Sequence, residues 1–158
     1  MDLRTFETLL TPDGQALLAE AVELAPTTET FLSCFRRLMK LEEQSELVRA
    51  ALETALMRRK AREKFSRADA MYFTREALEQ STSEVVARHR ARRFAGFRLV
   101  ADLCCGVGGD ALALAGVGRV VAVDLDPLRL AMAAQNLIAY DRRERVELRT
   151  VDLARDPP

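Results

Sequence analysis

Residues 100–109 read Val-Ala-Asp-Leu-Cys-Cys-Gly-Val-Gly-Gly, and residues 121–127 read Val-Ala-Val-Asp-Leu-Asp-Pro. Each stretch begins with a short apolar run that ends in an acid, Asp102 in the first and Asp124 in the second. The glycines after the first acid let backbone N–H groups approach a ligand closely. A carboxylate after the second strand can accept hydrogen bonds from both hydroxyls of a ribose. The two stretches together predict a site for a nucleotide-type cofactor.

The identity of the cofactor depends on the acid before the loop. Gly106, Gly108 and Ala111 fit the dinucleotide fingerprint G-x-G-x-x-G/A, with Asp124 at nearly the expected distance. Asp102 argues against a dinucleotide, because its carboxylate would repel a pyrophosphate at the adjacent helix N-terminus. The same carboxylate suits an ammonium group. S-adenosylmethionine carries an ammonium, a sulfonium and a ribose, and is the cofactor we expect; NAD is the alternative.

Residues 98–152 resemble the first half of a class I S-adenosylmethionine-dependent methyltransferase, a family with the pattern D-x-G-x-G-x-G. Asp102, Gly106 and Gly108 hold the family positions, and Cys104 replaces the first glycine. Since an L residue tolerates positive φ poorly, this replacement affects how tightly the loop can turn.

A closer resemblance is to the trimethylguanosine synthase type of RNA methyltransferase and its bacterial relatives with a THUMP-like region. Those proteins have a Cys-Gly-Val-Gly-Gly loop, as in Cys105–Gly109, and an Asp-x-Asp-Pro turn, as in Asp124–Pro127. Thr82 and Glu84 fall on the family's Thr and Glu in a segment that lies over the cofactor, whereas Gln80 replaces its Ser. Ser81 and Glu84 also predict a capping box that starts a helix, which is the simpler interpretation of this segment and is compatible with ligand contact.

The resemblance implies a set of cofactor contacts but no catalytic residue. An acid just past the third strand accepts a hydrogen bond from the adenine amino group in this family, and Asp152 holds that place; an exposed loop acid is the alternative. The candidate cofactor-binding residues are Gln80, Thr82, Asp102, Cys104, Gly106, Val107, Gly108, Asp110, Asp124, Leu125 and Asp152.

The periodicity of apolar residues divides the chain near residue 95. Residues 1–95 repeat at helical spacing and predict a helical N-terminal domain with a long helix at about 42–64. Strands then alternate with helices, with strands at about 98–102, 119–124 and 146–150. Residues 96–158 are therefore expected to form a partial Rossmann-like domain that binds S-adenosylmethionine. The fold class is α/β: a helical domain followed by strands 3-2-1 of a methyltransferase sheet.

Two further stretches are open to more than one reading. Met71, Tyr72 and Phe73 are either core residues or aromatic and apolar contacts for the cofactor's adenine. Residues 156–158, Asp-Pro-Pro, imitate the substrate-positioning motif of the family. They follow Asp152 too closely for a helix and a strand to intervene, so a loop terminus is expected.

Composition sets limits on location and ligands. The chain has 158 residues, 49% of them hydrophobic and 30% charged, and contains no apolar run long enough to span a bilayer. The three cysteines make a poor disulfide framework, so we expect a cytoplasmic protein. With one histidine and no cluster of cysteines and histidines, we expect no metal site.

The 24 basic and 24 acidic residues cancel, but the basic ones cluster. An RNA substrate would use such clusters for phosphate contacts, and solvated helix faces are the alternative. The clusters are Arg58, Arg59, Lys60, Arg62 and Lys64, and then Arg88, Arg90, Arg92, Arg93 and Arg98.

The region with a recognisable pattern covers only half of the family fold. We therefore expect the chain to be the N-terminal part of a longer enzyme and to be inactive by itself. Strand one, central in the whole family sheet, would become an edge with unpaired backbone groups, covered by a second copy of the chain or by the helical segment. Three functions remain open: a methyltransferase acting on RNA, an NAD-dependent oxidoreductase, and a non-catalytic cofactor-binding or interaction fragment.

Overall fold

The computed structural model describes residues 1–155, so the Asp-Pro-Pro sequence at 156–158 lies outside the described residues. The chain divides into two compact units, Met1–Lys60 and Ala61–Pro158. The domain boundary near residue 95, drawn where the periodicity changes, stays a prediction. Within residues 1–155, no helix is both long and apolar enough to cross a membrane.

The first unit is built from four helices, and capping residues in the sequence mark the starts of the first two. They are α1 (Leu3–Leu9), α2 (Pro12–Glu23), α3 (Phe31–Leu38) and α4 (Ser45–Ala61). The Asp2 side chain caps α1 by accepting the N–H of Thr5 at 2.8 Å. Thr11 caps α2, and Pro12 occupies its first position, where a missing N–H costs nothing. The buried side chains of this unit include Phe6, Leu9, Leu18, Ala21, Leu38, Val48 and Leu52.

The second unit begins with short helical elements. They are a 3-10 turn at Ala68–Ala70, α5 (Arg75–Gln80), α6 (Glu84–Ala91) and a 3-10 turn at Arg92–Phe94. Met71, Tyr72 and Phe73 are 0%, 6% and 1% exposed, which confirms that they are core residues. The capping box expected from Ser81 and Glu84 is wrong. Ser81 ends α5, and its hydroxyl donates to the Leu78 carbonyl oxygen at 2.8 Å, so α6 starts after Ser83.

A parallel sheet follows, with helices between its strands. The elements are β1 (Leu99–Leu103), α7 (Gly109–Leu114), β2 (Arg119–Asp124), α8 (Pro127–Ala139), a 3-10 turn (Arg143–Arg145) and β3 (Val146–Thr150). The strand order is β1-β2-β3, with Ala101 opposite Val121 and Val121 opposite Glu147. The helical part followed by this parallel sheet confirms the α/β fold class.

The sheet positions the site at the ends of its strands. Asp102 is the second-last residue of β1 and Asp124 is the last residue of β2, and parallel strands bring these two ends to the same edge. Asp126 accepts the N–H of Leu128 at 2.8 Å and caps α8, with Pro127 in the first turn as expected. In the described chain, β1 is an edge strand, and its alternating residues Leu99 and Leu103 are 60% and 46% exposed.

Candidate cofactor site

The loop between β1 and α7 turns through three residues with positive φ. Cys104, Gly106 and Gly108 have φ values of 62°, 56° and 87°. Glycine adopts this conformation freely, whereas an L residue there is strained by about 1–2 kcal/mol. A Cβ added to Gly106 would have no heavy atom within 4 Å, so the loop leaves open space on that side. Cys104 therefore takes the left-handed conformation that the family pattern assigns to a glycine.

Asp124 fixes this loop from the neighbouring strand. Its Oδ2 accepts the N–H of Gly106 at 2.7 Å, and its Oδ1 accepts the N–H of Asp126 at 3.0 Å. The residue is only 8% exposed. Each carboxylate oxygen has two lone pairs, so the group retains acceptor capacity for a ribose hydroxyl. The carboxylate expected to bind a ligand thus also holds both loops of the site together.

Asn136, which the sequence analysis did not identify, supports the same loop from α8. It is fully buried. Its Oδ1 accepts the N–H of Tyr72 at 2.7 Å, and its Nδ2 donates to the carbonyl oxygens of Tyr72 at 3.1 Å and Val107 at 3.0 Å. One sequence signal could have identified Asn136: it is a polar residue on a helix face that is otherwise apolar, where Met132, Ala133 and Leu137 are also buried.

The segment before α6 is attached to the start of α7. The Thr82 hydroxyl donates to Asp110 Oδ2 at 2.8 Å, and Arg90 donates to the same oxygen at 2.8 Å. A Cβ on Gly109 would lie 3.2 Å from the Thr82 carbonyl oxygen, so the two backbones are nearly in contact. Thr82 and Asp110, both candidate contacts, therefore bind each other in this structure.

Glu84 connects the start of α6 to Ser66 and to Tyr140 at the end of α8. Its Oε2 accepts hydrogen bonds from the Ser66 N–H at 2.7 Å and from the Tyr140 hydroxyl at 2.9 Å, and the carboxylate also pairs with Arg88. Burial by itself would raise the pKa of the Glu84 carboxyl, but the bonds from Ser66 and Tyr140 and the charge of Arg88 bring it below the usual value. Glu84 is thereby kept ionised between α6 and the end of α8.

A pocket of about 110 Å³ lies where these elements meet. Seven of the candidate residues line it: Gln80, Thr82, Asp102, Cys104, Gly106, Val107 and Asp110. Four lie outside this lining. Gly108 packs toward Ala133, and Asp124 is buried beneath the loop. Leu125 is 63% exposed just past β2. Asp152 accepts the N–H of Ala154 at 3.0 Å beyond β3.

The Asp102 carboxylate lines this pocket, and one of its two oxygens, Oδ2, is buried. Among residues 1–155, nothing donates a hydrogen bond to its buried Oδ2. Burial, together with the charge of Asp110, raises the pKa of the Asp102 carboxyl to about 6. A buried acceptor without a partner costs free energy, and a cationic donor would relieve that cost. The ammonium of S-adenosylmethionine fits this requirement, and a pyrophosphate does not.

The two adjacent cysteines have different surroundings. Burial, with the charges of Asp102 and Asp124, raises the pKa of the Cys105 thiol to about 12. Cys105 is buried and is therefore unreactive at neutral pH, whereas Cys104 is exposed at the pocket. Within the described part of the chain, no group of three or more His, Cys, Asp or Glu side chains could hold a metal ion.

Comparisons with known proteins agree on one class of enzyme. Residues 97–155 match the family model described as RNA cap guanine-N2 methyltransferase, and residues 2–61 match a domain of unknown function. Two relatives from different strains of Mycobacterium tuberculosis, each described as an uncharacterized S-adenosylmethionine-dependent methyltransferase, are 46% identical over 95 residues. The matches cover 56% of this chain and 26% of each relative, so the chain spans about a quarter of their length.

The fold has a counterpart among solved structures. A crystal structure from Porphyromonas gingivalis, described as that of a presumed methyltransferase, aligns with a TM-score of 0.59 and 20% identity. The alignment covers 83% of this chain and 37% of that one. At this level of identity the likeness concerns the fold. The family match, the curated relatives and the glycine-loop geometry show that residues 97–155 are similar to part of the S-adenosylmethionine-dependent methyltransferases.

Proposed function

We propose that the chain supplies the cofactor-binding part of an S-adenosylmethionine-dependent methyltransferase that acts on RNA. The observation that carries this proposal is the buried, unpartnered Oδ2 of Asp102 in the pocket beside the glycine loop. When bound, the cofactor would supply an electrophilic methyl group. Asp102 would receive the ammonium, the loop at 104–108 would lie against the methionine moiety, and Asp124 would receive the ribose.

The chain's own residues would orient the cofactor and keep water away from it. Thr82 and Arg90 hold Asp110 at the start of α7, so the segment before α6 covers one side of the pocket. Asn136 and Asp124 hold the loop on its other side. Positioning of this kind accounts for much of the rate acceleration in group transfer, because the reacting groups are held in line. Gln80 and Leu125 complete the proposed contacts, and Asp152 is proposed to receive the adenine amino group.

Calorimetric titration distinguishes this proposal from the oxidoreductase alternative. The spacing of the glycines by itself fits an NAD site, but the carboxylate of Asp102 would repel the pyrophosphate of NAD. We expect the 158-residue chain to bind S-adenosylhomocysteine and not NAD. Binding of NAD alone would overturn the methyltransferase proposal. Absence of binding by both would favour the third possibility, an interaction fragment.

An RNA substrate is supported by the family description and by the arginines near the site. Arg88 and Arg90 pair with Glu84 and Asp110, whereas Arg92 and Arg93 are exposed in the turn after α6. An RNA backbone would contact such residues through its phosphates, with binding that weakens as salt rises. We also propose that the chain is related specifically to the trimethylguanosine synthases and to the bacterial THUMP-like group. The free thiols of all three cysteines fit a reducing cytoplasm.

Fluorescence anisotropy with a short labelled RNA at several salt concentrations tests the RNA substrate. A double substitution of Arg92 and Arg93 by glutamine should reduce the slope of log K against log salt by roughly 1.4, because two single-strand phosphate contacts are lost. Arg4→Gln in the first unit is the matched control and should leave the slope unchanged. An unchanged slope in the double variant would contradict phosphate binding at this turn.

A further inference from the structure

The pocket beside the glycine loop also contains a cationic side chain. Among the lining residues, all of which the structure describes, Arg129 is the one cationic side chain. It lies in the first turn of α8, two residues after Pro127, and its side chain is 24% exposed. Asp102 and Arg129 therefore bring opposite charges to one small space.

Arg129 is held in place by acids at the rim of the pocket. Its Nη2 lies 3.2 Å from Glu76 Oε1, and its Nε lies 3.6 Å from Asp126 Oδ2. Gln80 Nε2 donates to the same Glu76 oxygen at 3.2 Å, which fixes the position of that carboxylate. A guanidinium has five N–H donors in a rigid fork, so these two contacts leave donors for a ligand.

The size of the pocket limits what part of a ligand can enter. At about 110 Å³ it has the volume of three or four water molecules. An adenosine is far too large for such a space, whereas the carboxylate and ammonium of an α-amino acid fit within it. The charges agree with this assignment, because an amino acid head group presents one anion and one cation to a site that offers one of each.

We infer that Arg129 binds the carboxylate of the cofactor's methionine moiety, opposite the ammonium at Asp102, and so selects ligands that have an intact amino acid head group. This inference rests on the proposed function. An Arg–carboxylate pair is commonly bidentate and is stronger than a neutral hydrogen bond. Without Arg129, the ligand carboxylate would face the acids Asp102 and Asp110 with no cation among the lining residues.

Decarboxylated S-adenosylmethionine is the probe that isolates this contact. It keeps the sulfonium, the ribose and the ammonium and lacks only the carboxylate. Calorimetry should show that the wild-type chain binds S-adenosylmethionine at least about tenfold more tightly than the decarboxylated compound. Arg129→Gln should weaken S-adenosylmethionine by about tenfold and leave the decarboxylated compound within about twofold. Arg129→Lys, which keeps the charge and loses the fork, should fall between them.

Arg149→Gln is the matched control, since it removes an arginine that pairs with Glu147 on β3 and is outside the pocket lining. It should leave both affinities unchanged. Equal weakening of both compounds by Arg129→Gln, or no weakening of either, would overturn the inference and leave the proposed function intact. Equal affinity of the wild-type chain for the two compounds would also overturn the inference and leave the proposed function intact. A wild-type chain that binds neither would overturn the proposed function and the inference together.

Discussion

The Asp124 carboxylate accepts the backbone N–H of Gly106 at 2.7 Å and so joins the end of β2 to the loop that follows β1. The bond lies in the part of the site where a ribose is proposed to bind. A residue that both builds the loop and contacts the ligand cannot be changed without affecting the fold. Stability and binding must therefore be measured together at this position.

Asp124→Asn should destabilise the second unit by about 1–3 kcal/mol, because an amide has one acceptor oxygen for the two N–H groups of Gly106 and Asp126. Urea denaturation followed by circular dichroism measures this loss. Asp126→Asn is the control: asparagine also caps helices well, so its free energy of unfolding should stay close to that of the wild type. Equal stability of the two variants would show that the Asp124 bonds contribute little.

Cys104→Gly should raise the free energy of unfolding by about 0.5–1 kcal/mol. Glycine relieves the strain of a side chain at φ 62°, and the greater freedom of glycine in the unfolded chain offsets part of that gain. Cys104→Ala removes the thiol but keeps the Cβ, so it should be no more stable than the wild type. If the alanine variant were stabilised as much as the glycine variant, the thiol rather than the backbone would be the source of strain.

The raised pKa of Asp102 makes stability and cofactor binding respond to pH in opposite directions. Its carboxyl holds its proton to about pH 6 in the folded chain and to about 3.8 in the unfolded chain. The folded state thus binds more protons between these values, and stability falls as pH rises through them. Asp102→Asn should therefore have a higher Tm than the wild type at pH 8 and a similar Tm at pH 3.5.

Binding of S-adenosylmethionine to the wild type should instead strengthen as pH rises through 6, since the ionised carboxylate attracts the ammonium. At pH 5 about a tenth of the Asp102 groups are ionised, so the affinity should be about tenfold lower than at pH 8. Asp102→Asn should bind weakly at both pH values. A pH-independent affinity in the wild type would contradict the proposed role of Asp102.

The exposed edge of β1 predicts self-association of the chain. Unpaired backbone groups beside Leu99, which is 60% exposed, favour strand pairing with a second copy. Sedimentation velocity should show a dimer in the wild type, and Leu99→Lys should shift it toward the monomer. Ile138→Lys on α8, where the residue is 52% exposed, should leave the dimer intact. A wild type that stays monomeric at all concentrations would contradict pairing at this edge.

The strands and helices of the parallel sheet region were largely predictable from the sequence, because the residue patterns that specify them are local. Alternation of apolar strands with helices gave the strands to within about one residue, and Asp126-Pro127 marked the start of α8. The long helix expected at 42–64 is shorter, at Ser45–Ala61. Ser81 was misread as a cap because α5 extends to Gln80 and uses Ser81 at its end.

Contacts between distant segments could not be read from sequence spacing. Asn136 reaches Tyr72 across 64 residues, and Thr82 reaches Asp110 across 28. Both pairs depend on how helices pack on the sheet, which no local pattern encodes. Asp102 could be predicted as a site residue from the sequence. That its Oδ2 lacks a hydrogen-bond partner among the described residues could not be predicted, because this depends on which distant residues line the pocket.

Binding of S-adenosylmethionine at Asp102 and the 104–108 loop is tested most directly by NMR titration of the ¹⁵N-labelled chain. The cofactor should shift the backbone amides of the loop and of residues 80–82, and the shifts should be absent with NAD and strongly reduced in Asp102→Asn. Shifts confined to residues 1–60, or a spectrum unchanged by saturating cofactor, would contradict cofactor binding at this site.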